Sequence, residues 1–378
     1  MRGRRRCDND RRCTGCSGPA DSTRDDQWWL KSLNVSAVHD VTRGEGVVVA
    51  VVDSGVDADH PDLRGNVLPG ADLFDQTSKG HDDTNGHGTA MASLIAGHGH
   101  GAGNRSGILG VAPEAKILPV KVMRDKGVNP PANVATGIDW AIDSGADVIS
   151  VSIAGATDPA LLAAVDRAYQ RNIPLIAGVG NKSTNLAVNW PAGYPGAIGA
   201  TILGRDNKPT QENVEGDRVD IAAPGEDIVA AYPGGRYSTA GLGSSNSTAI
   251  VAGAVALVRS KFPDLNSYDL SERLLWTTRD VGAKGWDDTF GYGALDVERA
   301  VTGEPDDRSV SAAPTPAVAA APAVDECRGC PSTATRVLQI IALFGGLLVV
   351  IGVVVFLLIR RKRKTRRAAL GTYGPPGN

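Results

Sequence analysis

Residues 47–57 read VVVAVVDSGVD, and this run decides the fold class. Its apolar residues, almost all β-branched valines, follow one another without the polar alternation of a half-exposed strand. A strand of that kind is buried on both faces, the condition of a parallel sheet covered by helices on either side. Asp53 ends the run and Ser54-Gly55 turns the chain, which places Asp53 at the carboxyl end of the strand. Ligand and catalytic groups of open α/β sheets collect at that end. Taken alone, an Asp in this setting reads first as an ordinary turn residue.

Outward from this run, further apolar stretches predict strands at 117–122, 147–153 and 173–179. Between and after them, helical patterns cover 89–97, 133–144, 159–170, 247–261 and 268–277. Strands alternating with helices imply an α/β fold, a mostly parallel sheet with helices on both faces, here spanning 27–301.

Two other segments carry reactive side chains. Residues 85–98, NGHGTAMASLIAGH, set His87 between glycines just before a helical run, which leaves the imidazole uncrowded. Residues 243–258, GSSNSTAIVAGAVALV, set Ser245 at a helix start. There a nucleophile gains from the positive end of the helix dipole and from free backbone N–H groups that can hold an oxyanion. The neighbouring Ser244 and Ser247 leave a one-position ambiguity. The resulting chain order Asp, His, Ser differs from the chymotrypsin and α/β-hydrolase orders. His98 and His100, in the glycine-rich stretch 97–107, lack further ligands and read as loop residues rather than metal ligands. Asp57, Asp59, His60 and Asp62 read as loop and packing residues.

DSGVDADHPDL, HGTAMASLIAG and GSSNSTA together resemble the three active-site signatures of the subtilisin-like serine proteases (subtilases). The resemblance implies catalytic roles for Asp53, His87 and Ser245, with Gly243 and the spacing to Val251 and Gly253 setting the register on Ser245. It maps the oxyanion-hole asparagine of the family onto Asn181, at the end of IAGVGN, and the substrate-pairing edge onto Ser152, Ile153 and Ala154. Ala154 stands where many members have glycine, so a narrowed first specificity pocket is expected. Family members generally show Gly-Thr-Ser-x-Ala-x-Pro, whereas Ser244, Ser247 and Ala249 stand here at the Thr, Ala and Pro positions. Two readings follow: a serine endopeptidase needing no metal or other cofactor, and a weak or inactive subtilase serving as a membrane scaffold. The absence of a Gly-x-Ser-x-Gly elbow argues against a lipase or esterase.

Within the family the sequence is most similar to the mycosins, the membrane-anchored proteases associated with type VII secretion in actinobacteria. The shared features are Gln27-Trp28-Trp29-Leu30, the phrase GVAPEAKILPVKV, an Ala/Pro-rich tether, and one C-terminal span with a basic tail. The implied partners are protein or peptide substrates and type VII secretion membrane components.

Charge and hydropathy support an anchor. Residues 337–359 carry no charge, and as a helix at about 1.5 Å per residue they would span roughly 35 Å, enough to cross a bilayer. Arg360, Arg361, Lys362, Arg363, Lys364, Arg366 and Arg367 follow directly, which puts the tail 360–378 inside and the catalytic domain outside the cell membrane. Residues 302–336, rich in Ala and Pro, are expected to be an extended linker. With the formal net charge only −3 and the terminal basic run explained by a membrane, no nucleic-acid partner is expected. Residues 1–26 are expected to be unstructured, and residues 1–30 lack the apolar core of an export signal, so the true start is expected to lie elsewhere. The cysteines, Cys7, Cys13, Cys16, Cys327 and Cys330, leave residues 17–326 free of thiols. Their two Cys-x-x-Cys pairs could form a zinc site, but an external compartment favours disulfides, whose pairing stays open.

Overall fold

The valine run forms β1 (Val48–Asp53) in the computed structural model, which describes residues 22–124, 130–153, 155–184 and 186–304. The strands that follow are β2 (Ala71–Asp72), β3 (His98–His100), β4 (Ser106–Leu109), β5 (Lys116–Lys121), β6 (Val148–Val151) and β7 (Leu175–Gly178). After them come β8 (Ala197–Leu203), β9 (Ile221–Pro224), β10 (Val229–Tyr232) and β11 (Arg236–Thr239). The helices run α1 (Ser22–Asp25), α2 (Trp28–Ser32), α3 (Val35–His39), α4 (His87–Ala96), α5 (Pro131–Asp143) and α6 (Pro159–Gln170). The last three are α7 (Ser244–Lys261), α8 (Ser267–Trp276) and α9 (Val297–Thr302).

One parallel sheet organises them, in the order β2-β5-β1-β6-β7-β8-β9. Side chains of a strand point alternately to opposite faces, and β1 uses both. Val49 and Val51 pack into the core made with α4 and α7, while Ala50 and Val52 pack into the core made with α5 and α6. The absence of polar residues from β1 ahead of Asp53 follows from this burial. Two small antiparallel pairs, β3 with β4 and β10 with β11, flank the sheet.

The side on which successive strands are added switches at β1. From it the chain first adds β2 and β5 on one side, then β6 to β9 on the other. The crevice beyond the carboxyl ends of β1 and β6 therefore lies at a topological switch point, where α/β sheets bind ligands. Helix α7 is buried along nearly its whole length, as an apolar helix through a core must be, and its first turn meets that crevice.

Some boundaries differ from the sequence reading. Helix α7 begins at Ser244 rather than 247, and α4 at His87 rather than 89, because polar first turns hide from an apolar period. Helix α1 lies upstream of the expected domain start at 27, and Arg24 within it donates to the Gly107 carbonyl at 2.9 Å. Residues 22–26 thus belong to the folded body, whose helix α9 runs to Thr302 rather than 301. No helix among the described residues is long and apolar enough to cross a membrane. The expected span 337–359, the tail, the linker beyond 304 and the cysteines lie outside the described residues.

Candidate active site

Asp53 closes β1 with its side chain 1 % exposed, and His87 opens α4 with its side chain 33 % exposed. The imidazole Nδ1 lies 2.8 Å from Asp53 Oδ1 and 2.9 Å from Oδ2. The Ser54 N–H donates to Asp53 Oδ1 at 2.8 Å, so the carboxylate is held from the backbone side as well. The close approach of α4 to β1 depends on Gly88, where a Cβ would stand 2.1 Å from the Gly55 carbonyl oxygen. Gly86, at φ 92°, turns the chain into the helix through a conformation that side chains disfavour.

Burial works against a charged imidazole here. The charge and hydrogen bond of Asp53, with a further contribution from Asp83, outweigh it and hold His87 above the ordinary histidine range. Such a group is a base at mildly alkaline pH and becomes a cation as pH falls.

Sequence reasoning missed Asp83. Its Oδ1 accepts from Ser54 Oγ at 2.9 Å and from the Gly86 N–H at 2.8 Å, and its Oδ2 accepts from the Thr89 N–H at 2.9 Å and from Thr89 Oγ1. Ser54 Oγ in turn accepts the Gly88 N–H at 2.9 Å. The signal was an acidic residue just ahead of a helix whose own N-cap, Gly86, has no side chain.

Ser245 lies in the first turn of α7. Its hydroxyl donates to the Ser152 carbonyl at 3.2 Å, and Ser152 Oγ donates back to the Ser245 carbonyl at 3.3 Å. The hydroxyl thus points at the backbone just after β6 and makes no hydrogen bond to His87. Asn181, just beyond β7, accepts the Ser244 N–H on its Oδ1 at 2.9 Å. That bond fixes the amide plane and leaves Nδ2 as its donor. The Ser245 N–H, in a first helical turn, has no intrahelical acceptor.

These groups border a cleft of about 360 Å³ lined by Ser152, Ile153, Gly155, Gly178, Gly180, Asn181, Thr184, Asn189, Ser244 and Ser245. Of the expected substrate-edge residues, Ser152 and Ile153 line it, whereas Ala154 lies outside the described residues. His100 Nδ1 bonds Asp62 Oδ1 at 2.6 Å and His98 Nε2 lies 3.0 Å from the Arg64 carbonyl. Both lie in β3 rather than in a loop, because the chain pairs there with β4, and no group of three or more His, Cys, Asp or Glu suited to a metal occurs among the described residues.

The subtilase family profile matches residues 44–293. Subtilisin E of Bacillus subtilis strain 168 is 36 % identical over 261 residues, 68 % of this chain and 66 % of that protein, just under two thirds of its length. Subtilisin of Bacillus pumilus is 35 % identical over 261 residues, covering 68 % of this chain and 91 % of its own. Among solved structures, MycP1 with its N-terminal propeptide removed superposes with a TM-score of 0.66 at 27 % identity, covering 74 % of this chain and 98 % of that one. Fervidolysin from Fervidobacterium pennivorans, a keratinolytic enzyme related to subtilisin, gives a TM-score of 0.66 at 29 % identity over 77 % of this chain and 48 % of its own. With an Asp-His pair at the end of an interior strand and a family match over most of the folded body, the chain belongs to the subtilase family of serine peptidases.

Proposed function

We propose that this chain is a serine endopeptidase that works through an acyl-enzyme. The observation that carries the reading is the Asp53–His87 pair at the carboxyl end of β1, with Ser245 in the first turn of α7, the helix that packs against α4. For reaction the Ser245 hydroxyl turns from the Ser152 carbonyl to His87 Nε2. Its proton passes to the imidazole as Oγ attacks the peptide carbonyl carbon, and Asp53 stabilises the resulting cation. The carbonyl oxygen, now negative, takes hydrogen bonds from Asn181 Nδ2 and the Ser245 N–H. Collapse breaks the C–N bond, and His87 returns the proton to the leaving amine. Water, deprotonated by His87, then releases the acid and restores the hydroxyl.

Incubating the full-length chain with an unfolded protein should generate new N-termini that are absent with Ser245→Ala. No cleavage of any sequence by the wild type would favour the inactive scaffold. That second reading draws on the altered residues Ser244, Ser247 and Ala249 and on a hydroxyl that rests on Ser152 rather than on the base.

The finer role is mycosin-like: a protease tethered outside the cell membrane, acting on exported proteins beside type VII secretion membrane components. The resemblance at Gln27–Leu30 and the likeness to MycP1 support this, as do the uncharged run 337–359 and the basic cluster after it. Protease added to intact spheroplasts should clip within 309–324 and leave a C-terminal epitope protected. Exposure of the tail with protection of the catalytic domain would contradict the topology.

A further inference from the structure

Asp83 is buried, yet all four of its hydrogen-bond partners are donors, two of them backbone N–H groups that cannot reverse. Only the two hydroxyls could turn round to accept from a protonated carboxyl, whereas the two N–H groups favour the carboxylate. Burial pushes it the other way, raising its pKa, and the hydrogen bonds from Thr89, Gly86 and Ser54 oppose that push.

Its partners are distributed across the two halves of the Asp53–His87 pair. Oδ1 takes Ser54, the residue bonded to Asp53, together with Gly86, the residue before His87. Oδ2 takes Thr89 twice, on the far side of His87 in the first turn of α4. Ser54 Oγ closes the ring by accepting the Gly88 N–H. The backbone on both sides of His87 and the side chain next to Asp53 are thus bound to one carboxylate.

We propose that Asp83 is a positioning residue for catalysis, a second carboxylate that locks the first turn of α4 onto the end of β1 and supplies His87 with a second negative field. The inference rests on the protease reading for its kinetic arm alone. An Asn at 83 cannot replace the carboxylate, because its NH₂ would face donors on one side or the other. Among the described residues the charged groups acting on His87 are Asp53 on β1 and Asp83 on the loop ahead of α4. Tyr232, on the packed β10 strand beside Gly86, has its pKa raised by burial and stays neutral.

The test compares Asp83→Asn with Ser54→Ala, which keeps the Asp83 charge and breaks the bridge. In Asp83→Asn, kcat should fall about 10- to 100-fold with KM within about twofold, the scale of a misplaced catalytic group. The acid limb of its pH–rate profile should move down by about half a pH unit, because losing a nearby anion makes the imidazole easier to deprotonate. Ser54→Ala should lower kcat less and leave the acid limb in place. Histidine-selective NMR titration gives the same shift without turnover, comparing full-length Ser245→Ala with Ser245→Ala/Asp83→Asn. A folded Asp83→Asn protein with an unmoved acid limb and an unmoved His87 titration would reduce Asp83 to a helix cap. If Asp83→Asn fails to fold, Ser54→Ala decides, and full activity there overturns the proposal. A wild type that cleaves no peptide removes the protease reading but leaves the titration to judge Asp83.

Discussion

The two halves of the site are built to different tolerances. On the β1–α4 side, Asp53 and His87 are already paired, and Ser54, Asp83, Gly86, Gly88 and Thr89 fix both backbones around them. On the β6–β7–α7 side, Asn181 is anchored by the Ser244 N–H, but the Ser245 hydroxyl rests on the Ser152 carbonyl. In the proposed mechanism the base is pre-organised, whereas the nucleophile rotates. A hydroxyl turns about one bond at little cost, while turning the imidazole would break its bonds to Asp53. Fixing the expensive pair and leaving the cheap rotor free is the economical division.

Substitutions on each side sharpen this contrast. The largest loss is expected for Ser245→Ala, on the order of 10⁶ in kcat, since no hydroxyl remains to rotate. Measurable serine chemistry in that variant, with Ser244→Ala silent, would shift the register by one residue. Asn181→Ala should cost about 10²–10³ in kcat while covalent labelling of Ser245 is merely slowed. Equal rates with and without the amide would remove Asn181 from the oxyanion hole. A smaller effect is expected for Gly243→Ala. A Cβ there would sit 3.5 Å from Asn181 Nδ2 and 3.9 Å from the Ser245 nitrogen, touching both donors that the carbonyl oxygen needs. Its kcat should fall about tenfold, as for a partly obstructed oxyanion site, with the melting temperature little changed. An unaffected kcat would place the oxyanion elsewhere.

The legibility of the sequence divided along similar lines. The valine run announced β1 because both of its faces are buried, and the order of Asp, His and Ser motifs announced the crevice at its end. The apolar period predicts α7 only from 247, whereas the helix begins at Ser244, because residues 244–248 are all polar and give that period nothing to register. Asp83 was passed over because its partners, Ser54 and Thr89, meet it only after β1 and α4 have docked. Strands β8 and β9 are fully buried yet carry little signal of their own, because Gly199 and Thr201 interrupt the apolar run of β8 and β9 is only four residues long.

The smallest effect lies away from the crevice and checks that the contrast is local. Burial pushes the Asp220 carboxyl up to about 6, against the Gly199 N–H and the nearby Arg218 charge. With the folded pKa above the unfolded value, the folded state binds more protons between about pH 4 and 6, so stability falls as pH rises through that window. Asp220→Asn should therefore gain on the wild type across that range and hold a constant advantage above it. Because part of the side chain reaches solvent, the gain is expected to be about 1 kcal/mol or less. It is read from urea unfolding at each pH, and an advantage that keeps growing above pH 7 would contradict the assignment. Activity is expected to be unchanged.

The central claim, a fixed base serving a rotating nucleophile, is tested most directly by mapping a fluorophosphonate adduct on the full-length chain as a function of pH. The expected result is a single adduct on Ser245, formed at a rate that rises through one titration above the ordinary histidine range and stays high into mild alkali, because His87 must be neutral to take the proton. An adduct on Ser244, or a rate that peaks near pH 4, or no adduct at any pH would contradict it.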